Sequence, residues 1–216
     1  VVLAKVSDDK KIGVMFVLNC ETDFVAKNEN FVAFADSILN KALANNADSL
    51  ETLKGIDLDG RTIEAQVTEQ TGIIGEKIEL SYYSKINADT VIGYIHPGNK
   101  LATVVGFNKE GVDIDVAKDI AMQVAAMAPV AVDKDAVSQE VIDKELSIAK
   151  EKFRLEGKPE AMLEKIAQGS LNKFFKENTL LNQVYVKDGK ISIKEFLSQK
   201  DKGLTVTAFD RYTLNV

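Results

Sequence analysis

The pattern that most constrains this chain is an order of elements that begins again part-way along. Val1 to Val6 and Ile12 to Leu18 are β-rich runs on either side of Ser7-Asp8-Asp9-Lys10, a polar turn cluster, and together they predict a hairpin. Phe31, Phe34, Ala35, Ile38 and Ala42 then recur at three-to-four-residue spacing as far as Asn45-Asn46, which predicts an amphipathic helix with Asn as its terminator. A shorter helix is expected at Thr62 to Thr71, and strands at Lys77 to Ile86 and Val91 to Ile95. After the turn His96-Pro97-Gly98-Asn99, Leu101 to Phe107 completes a second hairpin.

The two halves overlay. Phe34-Ala35-Asp36-Ser37-Ile38 falls on Val116-Ala117-Lys118-Asp119-Ile120, and Ala42, Ala44 and Leu50 fall on Val124, Ala126 and Val132 without a gap. Upstream, Val14 to Asn19 matches Thr103 to Asn108 only if the first copy carries about seven extra residues between strand and helix, by the helical and strand registers that set the overlay. That surplus lies in Glu21 to Asn30. Two similar lobes are therefore expected, each with antiparallel strands packed on helices, in an α+β fold.

From Lys134 to Phe153 and from Pro159 to Phe175 the pattern is helical, with Ile142, Leu146, Ala149 and Phe153 spaced as in a heptad seam. Gly157-Lys158-Pro159 separates the two runs, Gly suiting a helix end and Pro a new start. This predicts an antiparallel helical hairpin, a coiled-coil arm able to self-associate, to brace a lobe or to touch a partner; a homodimer through it is one open outcome. Val184 to Val186 and Leu204 to Tyr212 read as strands around a short helix at Ile193 to Gln199. The expected division is an N-terminal core subdomain over 1–90, a C-terminal core subdomain over 91–133 and 178–216, and the arm over 134–177.

Charge and composition narrow the function by exclusion. With 27 Lys and Arg against 33 Asp and Glu the net charge is −6, which argues against a phosphate backbone as the direct partner. One cysteine, Cys20, rules out an internal disulfide, and one histidine with that cysteine rules out a zinc cluster or a site of several imidazoles. The expectation is a reduced, cytoplasmic setting with no metal and no cofactor. No run approaches the length of a membrane span. Gly93 to Lys100 departs from a phosphate-binding loop, because the Lys comes one place late and Leu101 stands where a hydroxyl would hold magnesium. Carboxylates are scattered as on a solvated surface, and no nucleophile elbow, dinucleotide fingerprint or HExxH helix occurs. An enzyme is not expected.

What remains is Glu21-Thr22-Asp23-Phe24-Val25-Ala26-Lys27-Asn28, an aromatic inside a polar segment directly after a strand. Phe24 is either tucked into its own core or held out for a partner. The overlay makes its segment an excursion that the sister lobe folds without, and such segments on a rigid scaffold are where binding function concentrates.

Thr22 to Asn28 resembles the TDFVAK signature of the elongation factor Ts family, guanine-nucleotide exchange factors for elongation factor Tu. Ile74-Gly75-Glu76 is similar to its IGE segment, Tyr94-Ile95-His96-Pro97-Gly98 to its Y-x-H-G turn, and Asp119 to Ala126 to its IAMxVAA helix. Gly157-Lys158-Pro159, Lys173-Phe174 and Gln183-Val184-Tyr185-Val186 resemble its GKP, KF and QPFV segments in the same order. The resemblance implies that Asp23 and Phe24 press on the G domain of Tu, the ring entering an apolar pocket and disturbing the magnesium and phosphate region. It also implies that Val25, Ile74, Gly75 and His96 lie on that contact, and that Val186 and Lys187 face the β-barrel part of Tu. The family's small N-terminal helical domain has no counterpart before the first hairpin; Val1 reads as already inside a strand, so a fragment or processed chain is expected. The rival expectation is a two-lobed adaptor that binds a protein without affecting nucleotide.

Overall fold

The computed structural model describes residues 1–214 of the 216, and its elements fall into two compact units. The first unit spans Val1–Ala126 and takes up the chain again from Leu204; the second is Met127–Gly203. The fold is α+β, with antiparallel sheets.

In the first unit β1 (Val2–Val6) and β2 (Ile12–Asn19) form the first hairpin. There follow α1 (Asp23–Ala26), α2 (Glu29–Ala44), α3 (Leu50–Gly55), the short strands β3 (Asp57–Leu58) and β4 (Arg61–Thr62), α4 (Ile63–Ile74) and β5 (Glu79–Asn87). Next come β6 (Thr90–Ile95), β7 (Leu101–Phe107) and α5 (Ile114–Met127). The second unit carries α6 (Gln139–Leu155), α7 (Glu160–Asn178) and α8 (Ile193–Lys200), after which β8 (Val206–Thr213) closes the first. The strand orders are β1-β2-β5 and β6-β7-β8, every pairing antiparallel.

Alternation along the strands explains why the two sheets stack. On β1 and β2, Leu3, Val14, Phe16 and Leu18 face a core shared with α2, α3 and α4, whereas Val2, Met15 and Val17 face a second core with Val91, Ala102 and Val104 of the other sheet. Successive strand side chains point to opposite faces, so a run apolar at every position is a strand covered on both sides. Gly13 and Gly93 lie in the seam between the sheets. A Cβ on Gly13 would stand 2.5 Å from Cγ1 of both Val91 and Val104.

The overlay of the halves has a structural counterpart. Ala35, Ile38, Leu39 and Ala42 are buried on α2, and Ala117, Ile120, Ala121 and Val124, the residues on which they fall, are buried on α5. The surplus in the first copy divides in two: the connection over residues 20–28 is longer than that over 108–113, and α2 starts earlier than α5 in the overlaid frame.

In the second unit α6 and α7 pack antiparallel through Ala149 and through Leu163, Ala167 and Leu171 at four-residue spacing. Arg154 grips Glu160 across the bend at 2.5 and 3.1 Å, and Gly157 takes the left-handed φ of +78° there. Val184 to Val186 does not form the expected strand. Only an isolated bridge joins Val184 to Ser192, because the chain turns at Gly189 and Tyr185 instead stacks on Phe196 at 4.2 Å.

Candidate functional site

The segment after β2 becomes a single helical turn, and its rotation is fixed by what it buries. Val25 and Ala26 pack against the α2–α4 core, which at about 100° per residue leaves Phe24 on the opposite side. The Phe24 ring is accordingly 89% exposed, the most exposed large apolar side chain among the described residues.

Polar contacts from distant parts of the unit hold this turn. Thr22 caps α1, its hydroxyl accepting from the Val25 amide at 3.4 Å. The Glu76 carboxylate accepts from the Thr22 hydroxyl at 2.5 Å and from the amides of Thr22 and Glu21, both at 3.0 Å. Glu76 reaches them because α4 ends on Gly75 in the left-handed conformation (φ 79°), whose amide bonds Thr71 and which a β-carbon would strain. The Thr22 hydrogen bond holds the Glu76 carboxyl below the usual carboxylate range.

Asp23 projects the other way. Its carboxylate lies 3.1 Å from Lys100 Nζ, which follows the β6–β7 turn, and 4.0 Å from Lys27 Nζ one helical turn on. The hydrogen bond and charge of Lys100, with a smaller effect from Lys27, hold the Asp23 carboxyl below its ordinary value. Beside Cys20, whose thiol is pushed up by partial burial, the sulfur lies 3.4 Å from the Thr22 carbonyl.

Next to Phe24 lies an open groove of about 450 Å³ lined by Val25, Phe31, Phe34, Ile73 and Ile74. Ile73 is 68% exposed, so an apolar surface runs from the Phe24 ring across the end of α4. The structure thus gathers Phe24, Val25 and Ile74 around one groove of the first unit, with Gly75 capping α4 next to Ile74, while Asp23 faces the β6–β7 turn. His96 is exposed at the start of that turn, its Nδ1 2.9 Å from the Tyr94 hydroxyl. Val186 and Lys187 are exposed on the second unit. The residues that sequence reasoning passed over are Ile73, Lys100 and the role of Glu76 toward Thr22. Among the described residues no group of three or more His, Cys, Asp and Glu is placed to hold a metal ion, and no helix is long and apolar enough to cross a membrane.

The family model for elongation factor TS matches residues 21–216, a span that begins where the exposed turn begins. The elongation factor Ts of Porphyromonas gingivalis is 50% identical over 210 residues, covering 97% of this chain and 76% of the relative. The chain belongs to the elongation factor Ts family. The elongation factor Ts of Amoebophilus asiaticus is likewise 50% identical over 211 residues, 97% of this chain and 76% of the relative. That of Chlorobium phaeobacteroides is 41% identical over 228 residues, 99% of this chain and 78% of the relative. Membership places the protein among the translation elongation factors of protein biosynthesis.

Proposed function

We propose that this chain is a guanine-nucleotide exchange factor that binds elongation factor Tu in its GDP form and drives GDP out by inserting Phe24 into the G domain. The observation that carries this reading is a Phe with 89% of its surface in water on a turn whose neighbours are pinned. Burying such a ring in a partner gains roughly 1.5–3 kcal/mol, and none of it has been spent inside this fold. Asp23, held by Lys100, enters beside the ring, while Val25, Ile74, Gly75 and His96 border the contact and Val186 with Lys187 forms a second contact from the other unit.

Affinity alone does not accelerate release. A factor that bound loaded and empty Tu equally would shift nothing, so it must prefer the empty form, and by reciprocity GDP and the factor then weaken each other. Insertion that disturbs the magnesium and phosphate region supplies that preference. No covalent chemistry is needed, and the setting is the cytoplasm where translation runs.

Release of fluorescently labelled GDP from Tu, followed by stopped flow, tests this. The wild-type chain accelerates release, and Phe24→Ala abolishes most of the acceleration while its thermal midpoint stays within about 2 °C, since an exposed ring contributes little to stability. A wild-type chain that binds Tu and leaves the release rate unchanged refutes exchange and leaves an adaptor.

A further inference from the structure

The Phe24 ring is held out by a turn that cannot hold itself. One helical turn is below the length at which helix formation is favourable, and the capping bond from Val25 to the Thr22 hydroxyl is long at 3.4 Å. Glu76 compensates for both weaknesses. One carboxylate oxygen takes the only proton of the Thr22 hydroxyl, which leaves that oxygen's lone pairs for the Val25 amide; the other oxygen takes the amides of Thr22 and Glu21. The cap is thereby oriented from outside its own segment. Bonds to an ionised acceptor are about twice as strong as neutral ones.

Resting on the exchange reading, we propose that Glu76 is the positioning residue of the wedge: through Thr22 it fixes the direction of the Phe24 ring before the partner arrives. Its contribution is preorganisation. With the turn fixed, insertion does not have to order residues 21–26, and the apolar gain goes to displacing nucleotide. Without Glu76 the ring is still present and still apolar, but its approach to the G domain is spread over many orientations.

The test uses Glu76→Ala, Thr22→Val and Thr22→Ser in the full chain, with two readouts. In the free chain, amide hydrogen exchange at residues 21–25 followed by NMR is expected to quicken at least about tenfold in Glu76→Ala and in Thr22→Val, as the loss of one charge-assisted bond implies, and to stay near wild type in Thr22→Ser. With Tu, the maximal rate of labelled-GDP release at saturating factor is expected to fall about tenfold in the first two variants, affinity changing less than about threefold, and Thr22→Ser restores it. The double variant Glu76→Ala with Thr22→Val falls by less than the two single losses combined, because the bond from the Thr22 hydroxyl to Glu76 is broken in both and is lost only once. Unchanged amide exchange in Glu76→Ala overturns the proposal whatever Tu does, and so does additive loss in the double variant. A wild-type chain with a protected turn that fails to accelerate release strikes instead at the exchange reading on which the proposal rests.

Discussion

Gly13→Ala should destabilise the first unit although it adds one methyl group to a strand. The new Cβ would lie 2.5 Å from Cγ1 of Val91 and from Cγ1 of Val104, whereas carbon atoms rest at about 3.5–4.0 Å. Both neighbours are buried and β-branched, so neither can swing aside without leaving its preferred rotamer at a cost of about 0.5–1.5 kcal/mol each. Overpacking of this kind costs about 1–3 kcal/mol, offset by the roughly 0.4–1 kcal/mol that Ala gains by restricting the unfolded chain. The net is about 1–2 kcal/mol. At about 2–4 °C per kcal/mol for a chain of this length, calorimetry should show a midpoint lower by roughly 2–8 °C. Gly72→Ala is the internal control: it lies in α4 with nothing within 4 Å of its Cβ and should stabilise by about 0.5–1 kcal/mol. Val104→Ala in the Gly13→Ala background removes one of the two clashes, so the double variant should be more stable than the sum of the single losses by at least about 0.5 kcal/mol. A Gly13→Ala chain as stable as wild type, or strict additivity, would refute the account of how closely the sheets approach.

Phe16→Ala empties a fully buried position between β2 and α2 and should cost about 3–5 kcal/mol, read as a shift in the urea midpoint without a change in slope. Tyr83 donates to the Ala47 carbonyl at 2.8 Å, and burial pushes its phenol up to about 12; Tyr82, by burial first and then by its hydrogen bond to Asp210, is pushed well above the ordinary value. Both folded-state values are raised, so the stability these phenols contribute is fully present below the unfolded value near 10 and lost as the pH rises through the folded ones. Phenolate absorbance in the folded chain should therefore show Tyr82 and Tyr83 still unionised at roughly pH 11, identified by Tyr82→Phe and Tyr83→Phe, and their ionisation near 10 would contradict this.

Much of the fold was legible because its elements are long and periodic. The hairpins, α2, α5 and the α6–α7 pair carry their spacing in the chain, and the halves that overlay in sequence bury matching residues. The stacking of the two sheets was less visible, since it depends on Gly13 and Gly93 leaving room, and a glycine in a strand announces a close approach without naming what approaches. Val184 to Val186 misled because three apolar residues satisfy a strand pattern, whereas their backbone pairs locally, through the Val184–Ser192 bridge and the turn at Gly189. At the site, the polar neighbours of Phe24 left core and partner both open, and its exposure follows from the packing of Val25 and Ala26, which sets the rotation of the turn. The pin was not legible: Glu76 lies 54 residues from Thr22, and no local pattern joins them.

An exposed aromatic that must also point one way poses a physical problem, and the contacts around α1 show how it is solved. Apolar packing fixes side chains well, but a ring fixed that way is no longer available to a partner. Here the apolar anchoring falls on Val25 and Ala26, one and two positions along, and polar bonds secure the other end of the turn. Those polar bonds differ in kind. The Asp23–Lys100 pair is an exposed ion pair, weakened by salt and free to exchange its partner on contact, which suits a carboxylate expected to enter the interface. The Glu76 carboxylate bonds backbone amides and a hydroxyl, neutral donors at short range, so these contacts should weaken less than the ion pair as ionic strength rises. Rigidity is thus assigned to the bonds behind the ring, and adaptability to the one beside it.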